Sequence, residues 1–200
     1  GLAYNPLGSV ANLFTGFPFR SAAFQDSGIK VLRGINVKRG NLDFSGDNNR
    51  YWSSSDGLEK YELMSDDIVI AMDGSLVGKS FGMVSKSDLP LLLGQRLARI
   101  RVNCLDARFV YHVLANGTLT AMTEKKKTSG AVPHISLKYI ASIRIPILPM
   151  YEQRRIASIL DNFDSLVNDL SSGLPAEIVA RRKQYEFYRD RLLSFRELAA

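Results

Sequence analysis

Cysteine is almost absent: Cys104 is the single thiol in 200 residues. One thiol makes no intrachain disulfide and no zinc site, which fits a reducing cytoplasm. Cys104 itself reads as a small core residue. Histidine is nearly as scarce, with two copies, so few routes remain to a metal centre or a nucleophile–base pair. No run approaches the roughly 18 consecutive apolar residues of a membrane-spanning helix. The start, GLAYNPLGSVANLF, lacks the basic beginning and apolar stretch of a signal peptide. The Asn/Asp-Pro-Pro-aromatic signature of amino-methyltransferases is missing, and so is a convincing glycine-rich S-adenosylmethionine loop. The chain does not read as a catalyst.

What is present is positive charge, unevenly placed. The formal net charge is +6, yet residues 151–200 hold eight Lys/Arg against eight Asp/Glu. All of the excess therefore lies on the first 150 residues. A basic body suggests a polyanionic partner, and a neutral tail suggests a protein partner. A hydrophobic fraction of 46% suffices for one domain with a core and an appendage.

The first 145 residues read as mixed, with β prevailing. GIKVLRGINVKRG alternates between glycines, DDIVIAMDG is an apolar run ending at a turn pair, and FGMVS and RLARIRV read as further strands. ARFVYHVLAN has a 3.6-residue period and should stop at Asn116-Gly117. His112 within it reads as structural. YIASIRIPILP is the last strand-like run, restricted by Pro146 and Pro149 to an edge or an exit.

MDGSLVGKS has the look of a phosphate-binding loop, ending in Gly78-Lys79-Ser80. It is one residue short, and Asp73 stands where the motif needs glycine. A glycine-rich strand connection is the better reading, with Ser75 and Lys79 able to meet a DNA phosphate. EKKKTSG places three lysines in a loop, either solvated or tracking a phosphate backbone.

From about Glu152 the pattern turns helical. Phe163, Val167, Leu170, Leu174, Ile178, Tyr185, Tyr188 and Leu192 recur at about 3.6 residues per step, with Arg181 in the one vacant place and Phe195 beyond. The alternating fours and threes are those of a coiled coil, with a stutter near Leu174. Pro175 should kink the helix, or else begin a second one in its first turn. The expectation is one kinked rod of about forty residues, about 60 Å long. Its apolar stripe is too long to fold back on its own domain and needs another helix.

The exit IPILPMYEQRRIASILDNFDSL, followed by LPAEIVARRKQYEFYRDRLLSF, resembles the conserved helical region of type I restriction–modification specificity subunits. Upstream, LGSVANLFTGFPFRSAAF, VLRGINVKRG, YELMSDDIVIAMDG, LLLGQRLARIR and GAVPHIS follow the order of a target recognition domain in that family. The resemblance implies an α+β chain: a mixed, mainly β target recognition domain over residues 1–150, then a long C-terminal α-helix over 151–200 acting as coiled-coil spacer and dimerisation region. It implies sequence-specific binding of double-stranded DNA and no catalysis by this chain. S-adenosylmethionine and ATP would belong to partner modification and restriction subunits, with no cofactor and no metal here. Such subunits usually carry two recognition domains and two helical regions. With one of each, this chain is either a fragment or a half-length form; the half-length form should pair as a homodimer, each copy reading one half of a bipartite site.

Candidate DNA contacts are loop residues of the basic body: Arg20, Arg33, Lys38, Arg39, Ser75, Lys79, Gln95, Arg96, Lys125, Lys126, Lys127, Thr128 and His134. Gln and Arg can make two-pronged contacts to base edges, and lysines more often meet phosphates. Phe163, Val167, Leu170, Leu174, Ile178, Tyr185, Tyr188, Leu192 and Phe195 are the expected dimer contacts. The competing readings are a coiled-coil assembly protein whose basic body binds protein, and a nucleotide-binding enzyme built on the short phosphate-type loop.

Overall fold

Along the chain come β1 (Tyr4–Pro6), α1 (Leu7–Val10), β2 (Ala11–Thr15), β3 (Ile29–Leu32), β4 (Tyr51–Trp52), β5 (Ile68–Ala71), β6 (Phe81–Met83), β7 (Leu91–Leu93), β8 (Leu97–Val102), α2 (Ala107–Val113), α3 (Leu119–Glu124), α4 (Leu137–Ala141), β9 (Arg144–Pro146), α5 (Met150–Asp169) and α6 (Pro175–Leu193). The structure, a computed structural model, describes residues 2–74, 77–124, 134–169 and 175–194. The fold is mixed α+β. Three sheets occur among the described residues: β1-β9, an antiparallel β2-β8-β5-β6, and β4-β3-β7, in which β3 and β7 run parallel.

β5 shows why its sequence is continuously apolar. Ile68 and Ile70 face a core shared with the helices, whereas Val69 and Ala71 face a second core shared with Leu32, Leu91 and Leu93 of the β3–β7 pair. A strand buried on both faces cannot alternate with polar residues. The layers are therefore helices, four-stranded sheet, three-stranded sheet. Beyond them a third cluster packs Phe19, Val31, Leu58 and Leu92 with Phe17, Phe24, Trp52 and Tyr61. Inside the sheet, Arg101 makes a paired contact with buried Asp67 at 2.8 and 2.7 Å, and Arg99 donates to Asn12 at 2.6 Å.

α2 begins at the Asp106 cap, whose Oδ1 accepts from the Phe109 amide at 3.0 Å. It gives way at the expected place: Asn116 leaves helical geometry and Gly117 takes φ +76°. The run YIASIRIPILP divides differently from expectation. Ser136 caps a short helix, α4, by accepting from the Tyr139 amide, and only Arg144–Pro146 is strand, paired with β1. Cys104 is exposed, against the expected core position, because it falls in the turn between β8 and α2.

α5 is anchored by one face. Gln153, Ile156, Ala157 and Leu160 are buried at the i, i+3, i+4, i+7 positions. Gln153 Oε1 accepts from the Asp106 amide at 2.8 Å, and its Nε2 donates to the Leu148 carbonyl at 2.7 Å. The second helix corrects the single rod. Pro175 opens α6 in its first turn, and α6 folds back along α5. The Phe163 ring stacks on Tyr188 at 5.4 Å and lies 6.4 Å from Tyr185. On one continuous helix, residues 163 and 188 would stand about 37 Å apart. Leu193 rejoins the core, near Tyr4, Val113 and Pro146.

Polar groups line this hairpin joint. His112, buried in α2, pairs with Asp161 of α5 at 2.8 Å, and Arg108 reaches the same carboxylate at 3.0 Å. Tyr185 of α6 hydrogen-bonds Asp164 of α5. Burial lifts the Asp164 carboxyl above its usual range. Asp161 adds to the rise, while His112, the Tyr185 hydrogen bond and Arg189 oppose it.

Two outcomes follow. Gln153→Leu keeps the volume but strips partners from the Asp106 amide and the Leu148 carbonyl. Unfolding in urea should show a loss of about 1–3 kcal/mol for each group left unsatisfied. For Asp164, a folded-state pKa raised above the unfolded value favours folding only while the group is protonated. That contribution is complete below the unfolded value, about 3.9, and is lost as pH rises through the folded one. Asp164→Asn keeps a neutral acceptor for Tyr185. It should raise the urea midpoint at about pH 7, with the gap closing toward about pH 4; equal midpoints at neutral pH would show that the buried carboxylate carries no cost.

Candidate nucleic-acid interface

β7 and β8 lie in different sheets, and the chain passes between them in three residues, Gly94, Gln95 and Arg96. Backbone bonds clamp both sides of this corner. Gly94 N–H donates to Leu32 O at 2.9 Å, Phe17 N–H to Leu93 O at 2.9 Å, Gly16 N–H to Leu97 O at 3.2 Å, and Met72 N–H to Arg96 O at 2.9 Å. The crossing is too close for side chains: a Cβ on Gly16 would sit 1.9 Å from Gly94 O, and one on Gly94 would sit 2.4 Å from Leu32 O. Arg96 is left at φ +63°. That conformation costs an L-residue about 1–2 kcal/mol and is usual only for Gly, Asn or Asp. Asp66, the other such position among the described residues, is one of those tolerant types.

A third segment completes this end of the molecule. Ile135 N–H donates to Met72 O at 2.9 Å, which sets His134 opposite Asp73. The Asp73 carboxylate pairs with His134 Nδ1 on one oxygen and stands 3.7 Å from Arg96 Nε on the other. Beside them opens a cleft of about 360 Å³. Phe17, Phe19 and Phe24 form its apolar wall, and Ser21, Arg33, Asp73, Gln95 and Arg96 supply its polar groups. Arg33 lies 5.8 Å from the Phe24 ring and donates to Asn48 O at 2.6 Å, while its Nε is buried with no partner. Burial, then the neighbouring Arg50, pull the Arg33 guanidinium below its usual pKa. The guanidinium donors suit an acceptor-bearing ligand, while the Asp73 carboxylate in the same lining disfavours a full anion.

The structure thus brings four of the expected contacts to one end: Arg33, Gln95, Arg96 and His134. Arg20 is exposed and precedes Ser21 of the cleft lining. Lys38 and Arg39 lie elsewhere, on an exposed turn bonded to Phe81 and close to Tyr111, whose hydroxyl donates to Gly40 O at 2.8 Å. Lys79 is half-buried in the turn before β6. Ser75 and Lys125, Lys126, Lys127 and Thr128 lie outside the described residues, as do Leu170, Leu174 and Phe195 and the side chains of Val167 and Ile178. Phe163, Tyr185 and Tyr188 meet one another within the chain, and Leu192 packs against the core. The nucleotide-loop reading fails on topology: β5 runs through this turn into antiparallel β6, not into a helix whose N-terminus could receive phosphate.

Sequence reasoning missed Asp73 and the Phe17–Phe19 wall. The signals were present in GFPFR and in the carboxylate that spoiled the phosphate loop. Among the described residues no group of three or more His, Cys, Asp or Glu could hold a metal ion, and no helix is long and apolar enough to cross a membrane.

Comparison with known proteins agrees with this architecture. The EcoAI type I restriction enzyme specificity subunit of Escherichia coli is 32% identical over 168 residues, covering 82% of this chain and 28% of that protein. The EcoBI specificity subunit of the same species is 31% identical over 170 residues, covering 83% and 33%. The HsdS subunit of Thermoanaerobacter tengcongensis superposes with a TM-score of 0.63 at 18% identity, over 96% of this chain and 45% of that one. A chain from the work on complex assembly and conformational transition of the type I R-M system gives 0.66 at 19% identity, over 96% and 46%. This chain therefore spans a third or less of these curated relatives and under half of the solved ones. A model of the type I restriction modification DNA specificity domain matches residues 3–180, nearly the whole length described above, and this chain belongs to that family.

Proposed function

We propose that this chain is one DNA-reading half of a type I specificity subunit, with residues 1–150 as target recognition domain and 151–200 as helical spacer. The observation that carries the reading is the convergence of Arg33, Gln95, Arg96 and His134 at one clamped end of the body, in a chain of the DNA specificity family. Arg and Gln are the residues that recognise purine edges with two bonds. The basic body adds salt-dependent attraction to phosphates, which holds the protein on DNA without choosing sequence. The chain is not itself a catalyst. It directs modification subunits carrying S-adenosylmethionine, and a restriction subunit using ATP, to its site.

Two copies pair through their helical regions and present two identical recognition domains to a bipartite, palindromic site. Phe163 and Tyr185 close the hairpin within each chain. The large apolar side chains left open on the described part of the hairpin are Tyr151, Leu166, Val179, Phe187 and, more weakly, Met150 and Tyr188. These are the surface available to a second copy.

Binding selection on a randomised duplex library, sequenced at low and moderate salt, tests the DNA reading. One motif should be enriched at both salts while overall affinity falls steeply with salt. Flat enrichment would reject it. Light scattering tests pairing separately. The mass should be near twice 22.3 kDa and fall to one chain with Phe187→Asp; a one-chain mass for the unaltered protein would reject pairing and leave the DNA reading standing.

A further inference from the structure

The inference concerns how the corner between β7 and β8 discriminates bases, and it rests on the DNA reading just given. Four backbone hydrogen bonds, to β3 and to the exits of β2 and β5, hold the residues on either side of the tip. The tip cannot relax, so residue 96 is fixed in the left-handed region. Glycine would occupy that position without strain. Arginine occupies it instead, with its side chain 74% exposed. Strain that persists at an exposed residue does nothing for the core. What it does is aim a guanidinium outward from a rigid mount.

The surroundings separate a base edge from a phosphate as the target. The Asp73 carboxylate stands 3.7 Å from Arg96 Nε and is itself held by His134. A carboxylate at that distance repels the full charge of a phosphate more strongly than the partial charges of the guanine O6 and N7 acceptors. Pairing at Nε also biases the planar fork, leaving its terminal nitrogens free for two parallel bonds. A phosphate contact needs no such mount, and a flexible lysine serves it. Gln95, exposed beside it, has no carboxylate partner among the described residues and no backbone strain.

We infer that Arg96 reads one guanine of the half-site through its O6 and N7, and that Asp73, backed by His134, is the residue that positions it.

The test uses the full chain in the same library selection, with Arg96→Gly, Arg96→Lys and Asp73→Asn. Arg96→Gly removes the guanidinium and the strain together, so its melting temperature should equal or exceed that of the unaltered protein. Its affinity for the selected site should fall about 10- to 100-fold, with guanine preference lost at one position and the other positions kept. Arg96→Lys should keep affinity for unselected duplex but not the guanine preference. Asp73→Asn should weaken the preference at that same position alone. The inference is overturned if Arg96→Gly keeps the guanine preference. It is also overturned if affinity falls equally for all sequences while the salt slope drops by about one, the signature of a phosphate contact. In either case the unaltered protein still enriches a motif and the DNA reading survives; a flat profile for the unaltered protein would overturn both.

Discussion

The amide of Asp106 and the carbonyl of Leu148 meet at one side chain, that of Gln153. A carboxamide offers an acceptor and a donor on one planar head, which a carboxylate or an alkyl group cannot do. Gln153 is 1% exposed, so neither bond can be exchanged for water. The consequences spread in both directions. Asp106 is the cap of α2, so its position sets where that helix starts; His112, further along, then reaches Asp161 on α5. Three and four residues past Gln153, Ile156 and Ala157 enter the main core. The placement of α5 on the body, and with it the direction in which the hairpin leaves, depends on this joint.

A different constraint governs the opposite end. There the exposed residues are mounted on backbone packed against backbone, at Gly16 and Gly94, where no side chain fits. Such a mount does not rely on packing by the side chains it displays, although the left-handed geometry at residue 96 still penalises any residue but glycine. Gln95 and Arg96 can therefore be exchanged without disturbing Leu93 and Leu97, both fully buried on either side.

Much of this was legible in the sequence. The strands β5, β6 and β8 fell where apolar runs met turn residues, and the helical path beyond α2 broke at Asn116-Gly117. The rod was misread for a physical reason. The apolar row keeps a 3.6-residue phase from Phe163 to Leu192, and phase is blind to reversal: two antiparallel helices that bury the same stripe against each other show the same period as one helix awaiting a partner. α4 was hidden because Tyr139-Ile140-Ala141 matches either period, and the Ser136 cap was overlooked. At the site, Arg33, Gln95, Arg96 and His134 could be chosen from turn chemistry. Asp73 could not be given its role, since its partners are 23 and 61 residues away in sequence.

Net charge also proves to be a coarse guide, and the reason separates two kinds of arginine. Arg101 meets Asp67 in a two-bond contact inside the sheet, which raises its pKa through that hydrogen bond, and Arg99 lies buried over the Phe14 ring at 5.5 Å. These cations are spent on the fold. Arg101 owns its carboxylate at hydrogen-bonding distance, whereas Arg96 shares Asp73 with His134 at a longer range. A fully matched pair has no reason to exchange its partner for a ligand. A half-matched, exposed guanidinium on a strained and clamped corner gains by doing so, and this asymmetry, more than the +6 total, distinguishes the end of the molecule where the proposed DNA contact lies.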